Sequence, residues 1–236
     1  MPKILDFKKT EKPFQIRSKS ASKAEIVIYA PIGQSFWEES ISAKQFSDEL
    51  KALDPAVNEI TVRVNSPGGD VFDGIAIYNR LKQHKAKIIV HIDGLAASIA
   101  SIIALAGDEV HMGEGALFMI HLPWTGVLGN RNDLENTINR LMDVEEQLVG
   151  IYAKKTGLDR QEIRAMLEAE TWLDADQAME KGFVDFKSTE SLAIAASAFE
   201  HKWINKKPKK YKSQDQVVSA EILKLKEKLK VKLARK

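Results

Sequence analysis

Short apolar runs bounded by turn residues alternate with amphipathic stretches along most of the chain. Runs rich in β-branched residues predict buried strands of a sheet. We predict such strands over residues 24–29, 59–64, 86–92, 110–112, 116–121 and 183–185. Because helical patterns separate these strands, the chain is predicted to fold as an α/β protein with parallel βαβ units.

Apolar residues spaced three or four apart predict the intervening helices. Local signals mark several of their ends: Ser42 with Gln45 forms a capping-box pattern, and Gly157 is a typical helix stop. The predicted helices cover residues 42–53, 71–84, 98–107, 132–155, 159–168 and 174–182, and the fourth is the longest. Residues 122–131, with one proline and two glycines, form a loop.

Residues 94–101 read Gly-Leu-Ala-Ala-Ser-Ile-Ala-Ser and join the strand at 86–92 to a helix. Ser98 is therefore predicted to lie where a strand turns into a helix. Such a position suits a nucleophile, because the hydroxyl projects from a sharp turn and the free N–H groups of a helix start favour negative charge. A serine in an alanine-rich turn is more commonly a helix cap or a packing residue.

A serine nucleophile needs a base that accepts its proton. His121 ends the apolar strand at 116–121 and precedes a loop, so it lies at an edge where a cleft can form. A capping or partly buried histidine is the commoner interpretation of such a position. The weaker candidates for the base are His84, His91, His111 and His201.

Gly68 and Gly69 follow the strand at 59–64 and precede a helix. Adjacent glycines there allow the backbone to turn N–H groups toward an anion. With the Ile99 N–H, they could hold a developing oxyanion, at about 3–4 kcal/mol per donor. An ordinary Pro-Gly-Gly turn is the alternative. The Gly-x-x-x-x-Gly-Lys pattern of a phosphate loop is missing.

Three segments together resemble one family. Residues 65–69 (Asn-Ser-Pro-Gly-Gly), 94–98 (Gly-Leu-Ala-Ala-Ser) and 119–123 (Met-Ile-His-Leu-Pro) resemble the oxyanion, nucleophile and base segments of the ClpP serine peptidases. Their order and spacing fit as well, and the resemblance covers about residues 24–186. The basic C-terminal extension and the short N-terminal arm make it closest to the phage and prophage branch, the ClpP-related head maturation proteases.

The resemblance implies a role for individual residues. Ser98 would be the nucleophile, His121 the general base, and the amides of Gly69 and Ile99 the oxyanion donors. The third member in this family is an Asp shortly before an aromatic-Leu pair, and the matching residue here is Glu170. A glutamate keeps the carboxylate that can orient the imidazole, but its extra methylene changes its reach.

The same resemblance implies a fold and an assembly. The fold is a ClpP/crotonase-like spiral of ββα units with a long handle helix and a basic C-terminal extension. The assembly is a homo-oligomeric ring, stacked on a second ring through the handle, with the active sites inside. A polypeptide substrate is expected to bind as an added strand. The substrate-binding residues would be Gly68, Asp70, Leu122 and Pro123.

Two kinds of protein are candidate partners, an AAA+ unfoldase and a phage capsid or scaffold protein. The N-terminal sequence that docks an unfoldase in the housekeeping enzymes is not recognisable in residues 1–23. The resemblance therefore predicts an ATP-dependent Clp-like endopeptidase, while the N-terminal sequence argues against dependence on the ATPase.

Composition narrows the function classes. The chain has no cysteine, which excludes disulfides, thiol catalysis and cysteine-based zinc sites. Its five scattered histidines form no His-x-x-x-His pair, so neither a metal nor another cofactor is expected. No apolar run reaches the roughly 18 residues that span a bilayer, and the N-terminus has no signal-peptide core. We expect a cytoplasmic protein with no membrane contact.

Charge separates the end of the chain from the rest. Residues 201–236 hold 13 basic and 3 acidic residues, a net charge of +10, whereas the remainder carries −8. We divide the chain into an N-terminal arm (1–23), a peptidase domain (24–200) and a basic linker with a predicted helical tail (201–236). Trp203 and Tyr211 are the only aromatic residues of the tail, which argues against nucleic acid as its partner.

Two other functions remain open. An acyl-CoA hydratase or isomerase of the same fold also uses a glycine-rich oxyanion hole, but it needs acid/base carboxylates rather than a serine and a histidine. A catalytically idle scaffold could use the basic tail to bind nucleic acid or an acidic capsid partner. The pairing of Ser98 with His121 favours a serine endopeptidase over both.

Overall fold

The computed structural model describes residues 14–33 and 40–188. The strands in these ranges are β1 (Phe14–Ser18), β2 (Lys23–Ile28), β3 (Glu59–Ser66), β4 (Lys87–Ala97), β5 (Glu109–Gly113), β6 (Leu117–Ile120), β7 (Thr171–Leu173) and β8 (Phe186–Ser188). The helices are α1 (Ala43–Lys51), α2 (Val71–Lys82), α3 (Ile99–Ala104), α4 (Arg131–Thr156), α5 (Arg160–Glu168) and α6 (Ala175–Glu180).

The strands form one mixed sheet whose main path runs in the order β1-β2-β3-β4-β5-β8. The strands from β2 to β8 along this path are parallel, which confirms the predicted βαβ units, and β1 joins β2 antiparallel. β4 changes its partner along its length: residues 89–92 pair with β5, and residues 95–97 pair with β6. The end of β4 therefore leads away from the main path.

Alternate residues of the central strands β2, β3 and β4 point to one face of the sheet, and the hydrophobic core lies against that face. These residues are β-branched and fully or almost fully buried, which explains why the runs read as strands: Ile26, Ile28, Ile60, Val62, Val64, Ile88, Val90 and Ile92. α2 packs closely on α3 at Gly74, where a Cβ would come within 2.1 Å of Ile99 Cγ1. Only glycine allows this approach, which holds the start of α3 against α2.

The predicted helix ends are largely confirmed. The Ser42 hydroxyl caps α1 by accepting from the Gln45 N–H at 3.2 Å, although the Gln45 side chain bonds Glu49 rather than reaching back. Gly157 ends α4 with φ 75°, in the left-handed conformation that a stop glycine adopts. These ends depend on bonds between residues close in the chain, which is why the sequence signals them.

Two elements after α5 differ from the prediction. The strand predicted at 183–185 is wrong: Phe183 and Val184 are buried after α6, and β8 begins at Phe186. The Phe183 ring packs against Phe118 and Tyr152, with centroids 5.2 and 5.9 Å away, so this apolar run fills the core instead. β7 was not predicted, because three residues carry no measurable periodicity.

Two of the predicted domains, the N-terminal arm and the basic tail, can be compared with the residues that the structure describes. β1 lies inside the segment assigned to the N-terminal arm and stands at one end of the strand order among the described residues. The basic tail of residues 201–236, with its predicted helix, lies outside the described residues. In the part of the chain that is described, no helix is long and apolar enough to cross a membrane.

Candidate active site

Ser98 occupies the turn between β4 and α3, at the position preceding the first helical residue. Its backbone adopts φ 55° and ψ −130°, a combination that costs a non-glycine residue about 1–3 kcal/mol. Its side chain makes no capping hydrogen bond to α3, so it does not play the usual role of a serine at a helix start. Instead, the hydroxyl is directed to another element.

That element is the end of β6. His121 Nε2 lies 2.8 Å from Ser98 Oγ, within hydrogen-bond distance. β6 brings the two residues together because Met119 pairs with Ala97, and the Ser98 N–H donates to the Met119 carbonyl at 2.9 Å. The strand that anchors the Ser98 backbone thus also carries the histidine that contacts its side chain.

The environment of His121 favours its neutral form. Burial lowers the pKa of the imidazole below its ordinary value of 6.5, and the negative charge of Glu170 offsets part of this effect. A neutral imidazole has a free ring nitrogen that can accept a proton at neutral pH. The histidine is therefore in the state that a general base requires.

The other histidines of the described ranges make different contacts. His91 and His111 stack on each other, with ring centroids 4.8 Å apart. His84 accepts a backbone hydrogen bond from the residue two positions later. His201 lies outside the described residues. Among the described histidines, His121 is the one bonded to Ser98.

Glu170 lies beside His121 but is not hydrogen-bonded to it. β6 and β7 pair antiparallel with Ile120 opposite Thr171, so the next position along places Glu170 across from His121. The carboxylate accepts from Trp172 Nε1 at 3.3 Å, and the described residues include no bond between it and the imidazole. Glu170 is exposed and has φ 49°, a left-handed conformation unusual for glutamate.

The loop after β3 lies directly against the Ser98 turn. A Cβ on Gly68 would come within 2.6 Å of the Ala97 carbonyl oxygen and 2.7 Å of Ser98 Cβ. Gly68 also has φ +90°, which favours glycine. Two segments about 30 residues apart thus meet through a contact that a side chain would block.

The direction of the Gly69 N–H follows from the hydrogen bonds of its neighbours. Ile32 donates to the Gly68 carbonyl at 2.8 Å, and Asp70 donates to the Ile32 carbonyl at 2.9 Å. The Gly68 carbonyl and the Gly69 N–H belong to one planar trans peptide and point in opposite directions, so the Gly69 N–H points away from Ile32. It has no hydrogen-bond partner among the described residues. The Ile99 N–H belongs to the first turn of α3, where no intrahelical acceptor exists.

The backbone N–H groups of the predicted substrate-binding residues already donate to acceptors within the protein. Gly68 donates to Ser66 Oγ at 3.2 Å, Asp70 donates to a carbonyl as described above, and Leu122 donates to Leu167 at 3.2 Å. Pro123 has no N–H. The Asp70 carboxylate caps α2. The carbonyls of Gly68 and Asp70 accept as well, from the N–H groups of Ile32 and Gly74. The role of the four residues in substrate binding stays a prediction.

A buried polar pair behind Ser98 was missed by the sequence reasoning. The Ser101 hydroxyl donates to the Ser98 carbonyl at 2.5 Å and lies 2.7 Å from the Tyr152 hydroxyl on α4. Both residues are buried. The available signal was a serine within the otherwise apolar helix α3, since a buried hydroxyl needs a partner.

The site offers acid/base and nucleophilic groups rather than metal ligands. Within residues 14–33 and 40–188, no group of three or more His, Cys, Asp or Glu side chains is arranged to hold a metal ion. Its parts are a hydroxyl, a neutral imidazole, a nearby carboxylate and two backbone N–H groups. This set can support acyl transfer through a serine.

Comparisons with known proteins agree with this chemistry. The family model described as Clp protease matches residues 8–188. The ATP-dependent Clp protease proteolytic subunit 1 of Chlamydia abortus is 29% identical over 160 residues, which are 64% of this chain and 83% of that protein. The corresponding subunit of Deinococcus radiodurans is 28% identical over 179 residues, 74% of this chain and 85% of that protein.

A solved structure supports the fold. A point mutant of ClpP1 from Listeria monocytogenes superposes with a TM-score of 0.61 and 24% identity, over 72% of this chain and 93% of that chain. At this identity the likeness concerns the fold alone, and it confirms the predicted ClpP-like α/β architecture. Because the family model covers most of the chain, the protein belongs to the Clp protease family and is a serine peptidase of that family.

Proposed function

We propose that this protein is an endopeptidase in which Ser98 attacks the carbonyl carbon of a peptide bond. The observation that carries the proposal is the 2.8 Å contact between His121 Nε2 and Ser98 Oγ. His121 takes the hydroxyl proton as the Ser98 oxygen bonds to carbon, and it returns this proton to the leaving amine. Water, deprotonated by the same imidazole, then hydrolyses the acyl-enzyme.

Glu170 is proposed to orient the imidazole. The register of β6 with β7 and the unusual backbone conformation of Glu170 support this role. A carboxylate that accepts from Nδ1–H keeps Nε2 free as the proton acceptor and stabilises the imidazolium. Hydrogen bonds of catalytic groups often tighten only when substrate is bound, so the absence of a direct bond in the free enzyme is compatible with the role.

The amides of Gly69 and Ile99 are proposed as the oxyanion donors. A Cβ on Gly68 would come within 3.1 Å of the Ile99 nitrogen, and Gly69 follows Gly68 directly, which supports this pair of donors. Fixed donors of this kind stabilise the charge that develops on the carbonyl oxygen as the tetrahedral intermediate forms. An acyl-CoA hydratase would use similar donors but would have no use for the Ser98–His121 pair.

We infer that the protein assembles into rings that stack through the first half of α4. Leu134, Ile138 and Met142 recur every four residues along this helix and are 43%, 56% and 62% exposed. Trp124 and Leu128 in the preceding loop are exposed as well. Apolar side chains in a continuous row suit contact with a second copy, because monomers rarely leave such a surface in water.

The substrates and partners are proposed from the sequence. The basic extension after residue 200 supports a role in processing phage capsid or scaffold proteins, since it is unlike the housekeeping enzymes. The curated relatives are named as subunits of ATP-dependent Clp proteases, which makes an AAA+ unfoldase a candidate partner. Degradation of a purified capsid protein, with and without such an ATPase, tests both proposals.

The central experiment uses a fluorophosphonate probe and a short fluorogenic peptide. The parent protein should be labelled at Ser98 and should hydrolyse the peptide, whereas Ser98→Ala should show neither while keeping its circular dichroism spectrum. Ser22→Ala, in the turn between β1 and β2, is the matched control and should behave like the parent. Hydrolysis by Ser98→Ala at the parental rate would overturn the assignment.

A further inference from the structure

A chain of two hydrogen bonds connects α4 with the backbone of Ser98. The Tyr152 hydroxyl, fully buried on α4, lies 2.7 Å from Ser101 Oγ, and Ser101 Oγ donates to the Ser98 carbonyl at 2.5 Å. The Ser101 N–H also donates to this carbonyl, at 3.0 Å. Two donors from one residue therefore hold a single carbonyl oxygen.

The direction of these bonds follows from the number of protons. A serine hydroxyl has one proton, and that of Ser101 is directed to the Ser98 carbonyl. Tyr152 must therefore be the donor in its bond to Ser101. Burial raises the pKa of Tyr152 well above its ordinary value, so its phenol keeps its proton across the working pH range. At any pH used for an assay, Tyr152 therefore donates a hydrogen bond to Ser101, and Ser101 donates one to the Ser98 carbonyl.

The bonded carbonyl belongs to the same peptide group as the Ile99 N–H. A trans peptide is planar, and its C=O and N–H point in opposite directions. Holding the Ser98 carbonyl toward Ser101 therefore turns the Ile99 N–H away from Ser101. The other peptide group of Ser98 is held as well, because its N–H donates to Met119.

We propose that Ser101 and Tyr152 are positioning residues that hold the Ser98–Ile99 peptide in the orientation in which the Ile99 N–H faces the oxyanion. This inference rests on the proposed function, since it needs Ser98 as the nucleophile. It also explains a polar pair inside an otherwise apolar contact between α3 and α4. The strained backbone of Ser98 requires such support, because an unusual φ/ψ pair persists only where its surroundings hold it.

The test compares three variants for peptide hydrolysis and for the rate of fluorophosphonate labelling. Ser101→Ala should lower kcat and the labelling rate by about 10- to 100-fold, less than the loss of a whole oxyanion donor, with KM changed less than about twofold. Tyr152→Phe should lower both rates by less, because Ser101 keeps its bond to Ser98. In Ser101→Ala the Tyr152 hydroxyl loses its partner inside the core, so Tm should fall as well.

The double variant Ser101→Ala/Tyr152→Phe separates positioning from stability. It removes both polar partners, so Tm should recover toward the parental value while kcat stays as low as in Ser101→Ala. Recovery of kcat together with Tm would overturn the inference. Tyr78→Phe, on α2, is the matched control, since its hydroxyl makes no hydrogen bond in the described residues.

The two proposals fail in different ways. If the parent protein is not labelled at Ser98, the proposed function itself is wrong. If the parent is labelled and all three variants react at its rate, the proposed function stands and the positioning role is refuted. If Ser101→Ala does not fold, Tyr152→Phe decides, because it leaves the hydroxyl of Ser101 in place.

Discussion

Ser98 and Glu170 share an uncommon backbone feature. Within the described ranges, they are the two non-glycine residues with positive φ, at 55° and 49°. The Ser98 backbone is held by bonds at its N–H and its carbonyl, and the Glu170 N–H donates to Leu167 at 3.2 Å. Strained residues cluster at functional sites. Backbone geometry therefore supports the same two positions that the sequence motif nominated.

The role of Glu170 can be tested by Glu170→Gln. The amide keeps the shape but can donate where a carboxylate only accepts, so the imidazole loses its preferred tautomer. If Glu170 orients His121, turnover should fall by about 10³ to 10⁴, as when the triad aspartate becomes an amide in other serine proteases. Glu168→Gln, a nearby exposed carboxylate at the end of α5, is the control and should keep parental turnover.

The same variant should change the pH dependence. Burial lowers the pKa of His121, and the Glu170 charge raises it, so removing that charge should lower the pKa further. The acid limb of kcat/KM, where the imidazole becomes protonated, should lie below 6.5 in the parent and at a still lower pH in Glu170→Gln. A limb that moves to higher pH, or a loss of turnover under tenfold, would mean that another group orients His121.

At the scale of elements, the contact between the loop after β3 and the Ser98 turn can be tested by Gly68→Ala. The new Cβ would lie 2.6 Å from the Ala97 oxygen, and φ is +90°. We expect a loss of about 1–3 kcal/mol in the free energy of unfolding, together with a fall in peptide hydrolysis as the two oxyanion donors separate.

Gly150→Ala is the matched control for this variant. Gly150 lies within α4, and its Cβ would meet Arg160 Nη1 at an ordinary 3.5 Å. Alanine is favoured over glycine inside a helix by about 1 kcal/mol, so this variant should be at least as stable as the parent and equally active. Equal stability of Gly68→Ala and the parent in urea unfolding would show that the loop can move away from Ser98.

The exposed row on α4 can be tested by Ile138→Glu. A charge in the middle of an apolar contact is left without a partner, so the assembly should dissociate while the helix content stays unchanged. Native mass spectrometry and circular dichroism measure the two properties. Asn136→Glu adds the same side chain about 200° around the helix and should leave the assembly intact. A parental mass for Ile138→Glu would exclude this row from the contact between subunits.

At the scale of the whole molecule, removal of residues 206–236 tests whether the basic tail is separate from the peptidase domain. All proposed catalytic residues precede Phe186, so hydrolysis of a short peptide should be unchanged. The removed segment holds 12 basic and 3 acidic residues, a net charge of +9, so its loss should weaken binding to an acidic polypeptide such as polyglutamate, with steep salt dependence in the intact chain. Loss of peptide hydrolysis or of the assembled ring would place the tail within the peptidase domain.

The sequence by itself determined the α/β framework and most helix ends. Buried strands and amphipathic helices leave a period in the sequence, and caps such as those of Ser42 and Asp159 are bonds between residues two or three apart. The sequence motif also nominated Ser98 and His121. These features are local, or they combine local signals, so they can be seen without knowing which strands pair.

Only the tertiary structure decided how the parts of the site meet. The contact of Ser98 with His121 spans 23 residues and depends on the pairing of β4 with β6. The bond of Ser101 with Tyr152 spans 51 residues and joins α3 to α4. β7 forms because β6 offers it an edge, and its three residues show no period of their own. The residues that stabilise such contacts lie far apart in the sequence, so no local sequence pattern predicts them.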